Sequence, residues 1–301
     1  MIQTVRGNIE PEELGLTMSH EHLCVDLSRV RNNTDSTFGY SPFIVNEVNK
    51  ASLFGVKSYV ELTTNDMGRN VEELRQISEE CDVHIIAATG FYMDMYHSEE
   101  LKQMNPEQIA ELFIKELTVG IADTSIKAGV IGEVASSAVM TESERRVLEG
   151  AAIAQKKVGC AISTHCQLGT LGRQQAAIFN SYGVNPAKVV LGHIDLSNDT
   201  DYMIELLDMG FNIAFDTIGK TEYLSDEQRV INLKLLLDKG YGKQIVISQD
   251  ISRKSYFTDE GYYGFTTVME KFVPMLKDAK VSQADLDAML ITNPQRIFNF
   301  E

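Results

Sequence analysis

The 301-residue chain has no tryptophan, only four cysteines and only six histidines, and its 27 lysines and arginines are outnumbered by 43 aspartates and glutamates. The cysteines, Cys24, Cys81, Cys160 and Cys166, form no Cys-x-x-Cys pair and do not cluster with histidine, which excludes a disulfide scaffold and a zinc-finger module. They read as four reduced, buried thiols. No run approaches the ~18 consecutive apolar residues of a membrane span, and the opening stretch MIQTVRGNIEPEELG lacks the apolar core of a secretory leader. The cytoplasm is therefore the expected compartment. A net charge of −16 repels nucleic acid phosphates and anionic lipid, so neither is an expected partner. A small-molecule substrate remains; an anionic one needs a local cluster of cations to overcome the global field.

Short apolar runs alternate with longer amphipathic stretches. Eight runs read as strands: Leu16–His22, Lys57–Leu62, Val83–Thr89, Gly129–Val134, Cys160–His165, Val189–His193, Phe211–Phe215 and Gln244–Ser248. Helical patterns between them include Val71–Cys81, Pro106–Thr118, Glu142–Lys157 and Asp226–Leu237. Thr141 with Glu142 and Glu144 resembles a capped helix start, Ser225 with Gln228 fits a capping box, and Gly240 and Gly242 punctuate the exit of the seventh helix. Ser282 opens a last helical segment that Pro294 is expected to kink or break. Eight βα units imply an α/β fold, a (β/α)8 TIM barrel, as one domain over residues 1–301 with a C-terminal helical extension. A doubly wound sheet is the alternative, but it needs a glycine-rich turn after the first strand, and MSHEHLCVD has no glycine.

Four of the six histidines fall at C-terminal strand ends, where barrel enzymes keep their active sites. His20 and His22 close the first strand. Residues i and i+2 of a strand share a face, so both imidazoles can enter the barrel mouth. His165 ends the fifth strand, His193 the sixth, and Asp250 follows the eighth. Glu133 is the only acid of the fourth strand, and a carboxylate among four imidazoles can bridge two divalent cations. His84 begins the third strand, at the far end of the barrel, and reads as structural. His97 lies in the third βα loop and is expected to face solvent.

These residues, in the motifs TMSHEHL, LTTNDMGRN, KAGVIGEV, STH, LGHIDLSND, FDTIGK and QDISRKSY, resemble the phosphotriesterase family of the amidohydrolase superfamily. Within it, the resemblance is nearest to the branch of phosphotriesterase-homology proteins and phosphosugar lactonases. It implies two divalent metal ions per chain, zinc foremost, with manganese or cobalt as alternatives. His20, His22 and Asp250 would hold the buried ion and His165 and His193 the exposed one, with Glu133 and a hydroxide between them. Many members bridge with a carboxylated lysine on the fourth strand; here Glu133 matches the glutamate variant. Members that degrade organophosphates carry a histidine after the strand-seven aspartate and an aspartate three residues after the strand-six histidine; this chain has Thr217 and Leu196. That proton relay is missing, which points away from phosphotriesters.

Lys220 follows the seventh strand, and Arg253, Lys254 and Tyr256 follow the eighth, beside Asp250. Lys220, Arg253 and Tyr256 resemble the phosphate-binding trio of the phosphosugar lactonases. Tyr92, after the third strand, is a further candidate for substrate contact. The implied activity is a metal-dependent hydrolase acting on ester bonds, a lactonase opening a phosphorylated sugar lactone with Asp250 as the catalytic proton acceptor. The alternatives are a phosphotriesterase or promiscuous carboxylesterase on the same metals, and a metal-containing barrel that binds a ligand without turnover. A homodimer is left open.

Overall fold

The sequence patterns lead to eight parallel strands, each paired with its neighbours in chain order. In the computed structural model, which describes residues 1–258 and 262–301, they are β1 (Leu16–Glu21), β2 (Val56–Glu61), β3 (His84–Thr89), β4 (Val130–Ser136), β5 (Ala161–Cys166), β6 (Val189–Gly192), β7 (Asn212–Phe215) and β8 (Ile245–Ile247). The helices α1 (Pro42–Ser52), α2 (Val71–Cys81), α3 (Pro106–Thr118), α4 (Glu142–Val158), α5 (Gly172–Ser181), α6 (Thr200–Asp208) and α7 (Asp226–Asp238) follow the first seven strands in turn. The sheet curls into a nearly closed (β/α)8 barrel.

Alternation along the strands divides the core in two. Val60, Ile86, Val130, Ala161, Val190 and Val246 fill the barrel interior, and Ile2, Leu14, Ile297 and Phe298 plug its lower end. The intervening strand residues, such as Tyr59, Ile85, Ile131, Ile162 and Ile213, pack outward against the helices.

The seam between β1 and β8 is closed chiefly by side chains. Asp250 N donates to His20 O at 3.2 Å, and Ser248 Oγ accepts from His20 N at 3.1 Å. Glu21 points the opposite way from its two histidine neighbours, as alternation requires. Its carboxylate accepts from Ser248 Oγ at 2.7 Å, Gln249 N at 3.2 Å and Ile251 N at 3.0 Å.

The helix starts carry the expected side-chain caps. Thr141 and Glu144 form a reciprocal capping box on α4, as Asn105 and Gln108 do on α3. At α7 only half of the expected box forms. Ser225 accepts from Gln228 N, but the Gln228 side chain turns along the helix to Asn232. Pro294 does not break the last helix either. A wide i→i+5 turn over Ala288–Thr292 precedes Asn293–Phe298 and accommodates the proline ring and its missing N–H. Among the described residues no helix is long and apolar enough to cross a membrane. Cys24, Cys160 and Cys166 are buried free thiols, whereas Cys81 is only half-buried.

Candidate active site

β1, β4, β5, β6 and β8 deliver six side chains to one place at the mouth. His22 Nε2 lies 3.1 Å and His20 Nε2 3.8 Å from Asp250 Oδ1. Glu133 reaches between all four imidazoles, 3.5 Å from His20 and from His22, 3.0 Å from His165 and 3.6 Å from His193. Glu133 does not end its strand as the sequence pattern suggests: β4 runs on to Ser136, past a register shift between Ile131 and Val134. His193 and Asp250 both sit just past their strands with left-handed backbones, at φ of 58° and 49°. That is an unfavourable region for side chains with a Cβ, retained here where it aims a functional group. Gly192 precedes His193 because β5 presses close: a Cβ there would meet Thr164 O at 2.0 Å.

Each imidazole is oriented by a partner on its outer nitrogen. Asp216, at the end of β7, takes two at once: His20 Nδ1 at 2.7 Å and His193 Nδ1 at 2.8 Å. His22 Nδ1 donates to Thr63 Oγ1 at 2.9 Å, whose own hydrogen goes to Glu61 at 2.6 Å. His165 is turned the other way, with Nε2 donating to Gln167 Oε1 at 2.7 Å. The nitrogens left facing inward are therefore Nε2 of His20, His22 and His193, and Nδ1 of His165. Outer partners of this kind fix the tautomer and raise ligand basicity.

The residues fit divalent-cation binding. His20 Nε2 is buried and has no hydrogen-bond partner among the described residues. His193 Nε2 and His165 Nδ1 face each other at 2.8 Å, and with both outer N–H groups donated elsewhere, a proton or a metal ion must stand with their lone pairs. The donor atoms of His20, His22 and Asp250, and those of His20, Glu133 and His193, lie within 4.8 Å of one another. The charge balance agrees. Burial opposes charge on His20 and His193, but Asp216 and the other carboxylates outweigh it and raise both pKa values. Burial likewise opposes ionisation of Glu133 and Asp216, yet the surrounding imidazoles hold both well below the usual carboxylate range. The floor of the site calls for positive charge.

Above the floor opens a cavity of about 440 Å³. Lys220, Arg253, Tyr256 and Tyr92 all line it; Lys254 is exposed and does not. Lys220 is committed to an ion pair with Asp250 Oδ2. The Tyr256 ring lies beneath both cations, 5.1 Å from Lys220 Nζ and 5.7 Å from the Arg253 guanidinium, and its hydroxyl is 3.4 Å from Glu222. Tyr92 packs edge-on against His165, its hydroxyl 3.5 Å from Nδ1. His97 corrects the sequence expectation. It is buried, with Nδ1 bonded to Ser143 at 2.7 Å and Nε2 to the Tyr92 carbonyl at 2.9 Å, and so braces the Tyr92 loop. His84 stands at the far end of the barrel, as expected. Asp216, Thr63 and Gln167, which contact the imidazoles, and Arg31, which lines the cavity, are not among the candidate site residues of the sequence reading.

A histidine- and carboxylate-lined mouth on this barrel defines a metal-dependent hydrolase. The chain belongs to the Phosphotriesterase family, whose sequence model matches residues 1–298. It is 36% identical over 285 residues to the phosphotriesterase homology protein of Escherichia coli, covering 94% of this chain and 98% of that protein. It is 33% identical over 348 aligned positions to the N-acetyltaurine hydrolase of Danio rerio, covering 100% and 98%. The crystal structure of the E. coli protein with phosphate in its active site superposes with a TM-score of 0.92 at 35% identity, covering 95% of this chain and 99% of that one. A lactonase from Listeria monocytogenes gives a TM-score of 0.93 at 25% identity, covering 100% and 99%. The family is binuclear and metal-dependent, and this chain carries the groups to bind metal.

Proposed function

We propose that the enzyme opens a phosphorylated sugar lactone, using two divalent ions, zinc foremost, held by His20, His22, Glu133, His165, His193 and Asp250. The observation that supports this most is a single cavity with carboxylates and imidazoles on its floor and arginine and lysine on its wall, in a chain of net charge −16. When bound, the ions polarise the carbonyl and lower the pKa of the attacking water. Asp250 accepts the water's proton and returns it to the leaving ring oxygen. That oxygen stays tethered in the opened product, so one carboxylate manages both transfers. Burial opposes the ionised form of Asp250, but Lys220 and His22 outweigh it and hold the group well below the usual carboxylate range. Tyr92 donates to the substrate carbonyl from beside His165. Arg253 forks onto the phosphate, supported by Tyr256. Thr217 gives its hydroxyl to Asp195 at 2.8 Å and offers no relay for an untethered leaving group.

A second reading comes from the relatives named N-acetyltaurine hydrolase. An acylated aminosulfonate shares the essentials, a carbonyl and an anionic tail, but its amine must be protonated as it departs. The test is a side-by-side kcat/KM on five-carbon lactone phosphates, N-acetyltaurine and a paraoxon-like triester with the metal-loaded enzyme. The lactone is expected to lead the triester by at least about two orders of magnitude, because only it has an anion for the basic wall to hold. N-acetyltaurine as the best substrate would replace lactonase with amidase; the triester as the best would move the enzyme to the organophosphate-degrading branch.

A further inference from the structure

Lys220 already has a partner in Asp250, and the Tyr256 hydroxyl leans toward Glu222, so two of the three side chains expected to hold an anionic tail are partly engaged. The wall has another cation. Arg31, in the loop after β1, lines the same cavity as Arg253. Direct contacts tie the loop that carries Arg31 to the loop that carries Arg253. Arg31 Nη1 donates to Ser36 Oγ at 2.6 Å. The preceding residue, Asp35, is bonded to the loop after β8: its carbonyl accepts from Lys254 N at 2.7 Å, and its carboxylate accepts from Ser255 N and Ser255 Oγ, both at 2.9 Å. Asp35 thus pins the residues that follow Arg253 against the loop that carries Arg31. Ser36 takes one N–H of the Arg31 fork, and the Tyr96 hydroxyl lies against the guanidinium as a second neighbour. Burial opposes the charge of Arg31, but the neighbouring Tyr92, Tyr96 and Asp250 outweigh burial and keep it firmly cationic.

We propose that Arg31 and Arg253 form a two-guanidinium subsite for a tetrahedral oxyanion on the substrate tail, phosphate ester or sulfonate, and that Asp35 is the positioning residue that keeps the two loops in register. Planar forks suit such an anion, since each can give two parallel N–H bonds. The inference rests on the anionic-tail reading above and adds to it a residue on the opposite loop.

The experiment is calorimetric titration of the metal-loaded enzyme and its variants with propyl phosphate and, separately, with ethanesulfonate, a poor metal ligand. Both anions are expected to bind the unaltered enzyme and to compete with substrate, and the tighter of the two identifies the tail. R31Q and R253Q should each weaken binding at least about tenfold, the loss of one charge-assisted bond. D35N should weaken it with both arginines present, and R31K should restore part of the R31Q loss through charge alone. Metal content and melting temperature, measured on each variant, should stay at the unaltered values, since all three residues lie above the metal floor. If R253Q loses the anion and R31Q binds it as tightly as the unaltered enzyme, the role of Arg31 is overturned while the anionic-tail reading stands. If neither anion binds the unaltered enzyme, the anionic-tail reading itself fails. Binding that survives in R31Q and R253Q alike but disappears on removing metal would place the anion on the metals and overturn the subsite.

Discussion

At the scale of single residues, Glu133 has the most depending on it. Among the described residues it is the one carboxylate within 3.6 Å of all four imidazoles, and it is buried, so its negative charge is screened by little except the groups it would bind. Glu133→Gln keeps the shape and removes the charge. It is expected to lower metal content from two equivalents to one or fewer and kcat/KM by at least about a hundredfold, read by elemental analysis beside the assay. A variant that keeps both would show that Glu133 does not bridge. The six clustered residues were legible because a strand end fixes a side chain's height and its parity fixes the face, both local properties. Their outer partners were not. Asp216 reaches two imidazoles that lie 196 and 23 residues away, and no local pattern encodes that meeting. His97 was misread for a related reason. A loop histidine is exposed by default, and it is the first turn of α4 that supplies the Ser143 hydroxyl bonded to it.

At the scale of elements, strands and helices read well from apolar period and caps, whereas the loops that shape the pocket did not, because their contacts run between βα units. One such contact gathers the loops after β6 and β7. Arg229 of α7 has no exposed surface. Its Nε donates to Asp195 Oδ2 at 2.8 Å, Nη1 to Asp226 Oδ1 at 2.9 Å and Nη2 to Thr217 Oγ1 at 2.9 Å. Asp195 follows His193 by two residues, Thr217 follows Asp216, and Asp226 also accepts from Gly219 N at 3.0 Å, next to Lys220. A single guanidinium therefore anchors residues beside His193, beside the aspartate that orients two imidazoles, and beside the partner of Asp250. Removing it strands two buried carboxylates, with Lys271 the one cation left beside Asp226 among the described residues, at 3.0 Å. Arg229→Gln is expected to destabilise the fold by about 3–5 kcal/mol, a fall in Tm of roughly 6–10 °C for a chain of this size, with Arg229→Lys intermediate. A shift in Arg229→Gln below roughly 2 °C would mean that the network contributes little to stability.

At the scale of the whole molecule, the barrel and its site are one structure. The six clustered residues come from β1, β4, β5, β6 and β8 or the loops just beyond them, and Asp216 adds β7, so ions bound there would cross-link most of the barrel. The cross-link matters most at the seam, where β1 and β8 share few backbone bonds and rely on Ser248, Glu21 and the Asp250 amide. His20 and His22 stand on one side of that seam and Asp250 on the other, so the ion they hold would close it. Without ions, the same floor packs Glu133, Asp216 and Asp250 together, balanced among the described residues by imidazole protons, Lys220 and the neighbouring Arg31. Metal removal should therefore lower stability as well as activity. A ligand that binds only the folded state stabilises it by about 2.7 kcal/mol at a hundredfold excess over its Kd, so two such sites give roughly 5 kcal/mol, or a rise in Tm of about 10 °C. The expected result is that chelator-treated enzyme melts about that much lower than enzyme loaded with two equivalents of zinc, and that Asp250→Ala, which removes the ligand across the seam, melts low and gains less from added zinc. Equal melting temperatures with and without metal, together with less than one equivalent bound, would show that the cluster is held by its own hydrogen bonds and that the binuclear reading is wrong.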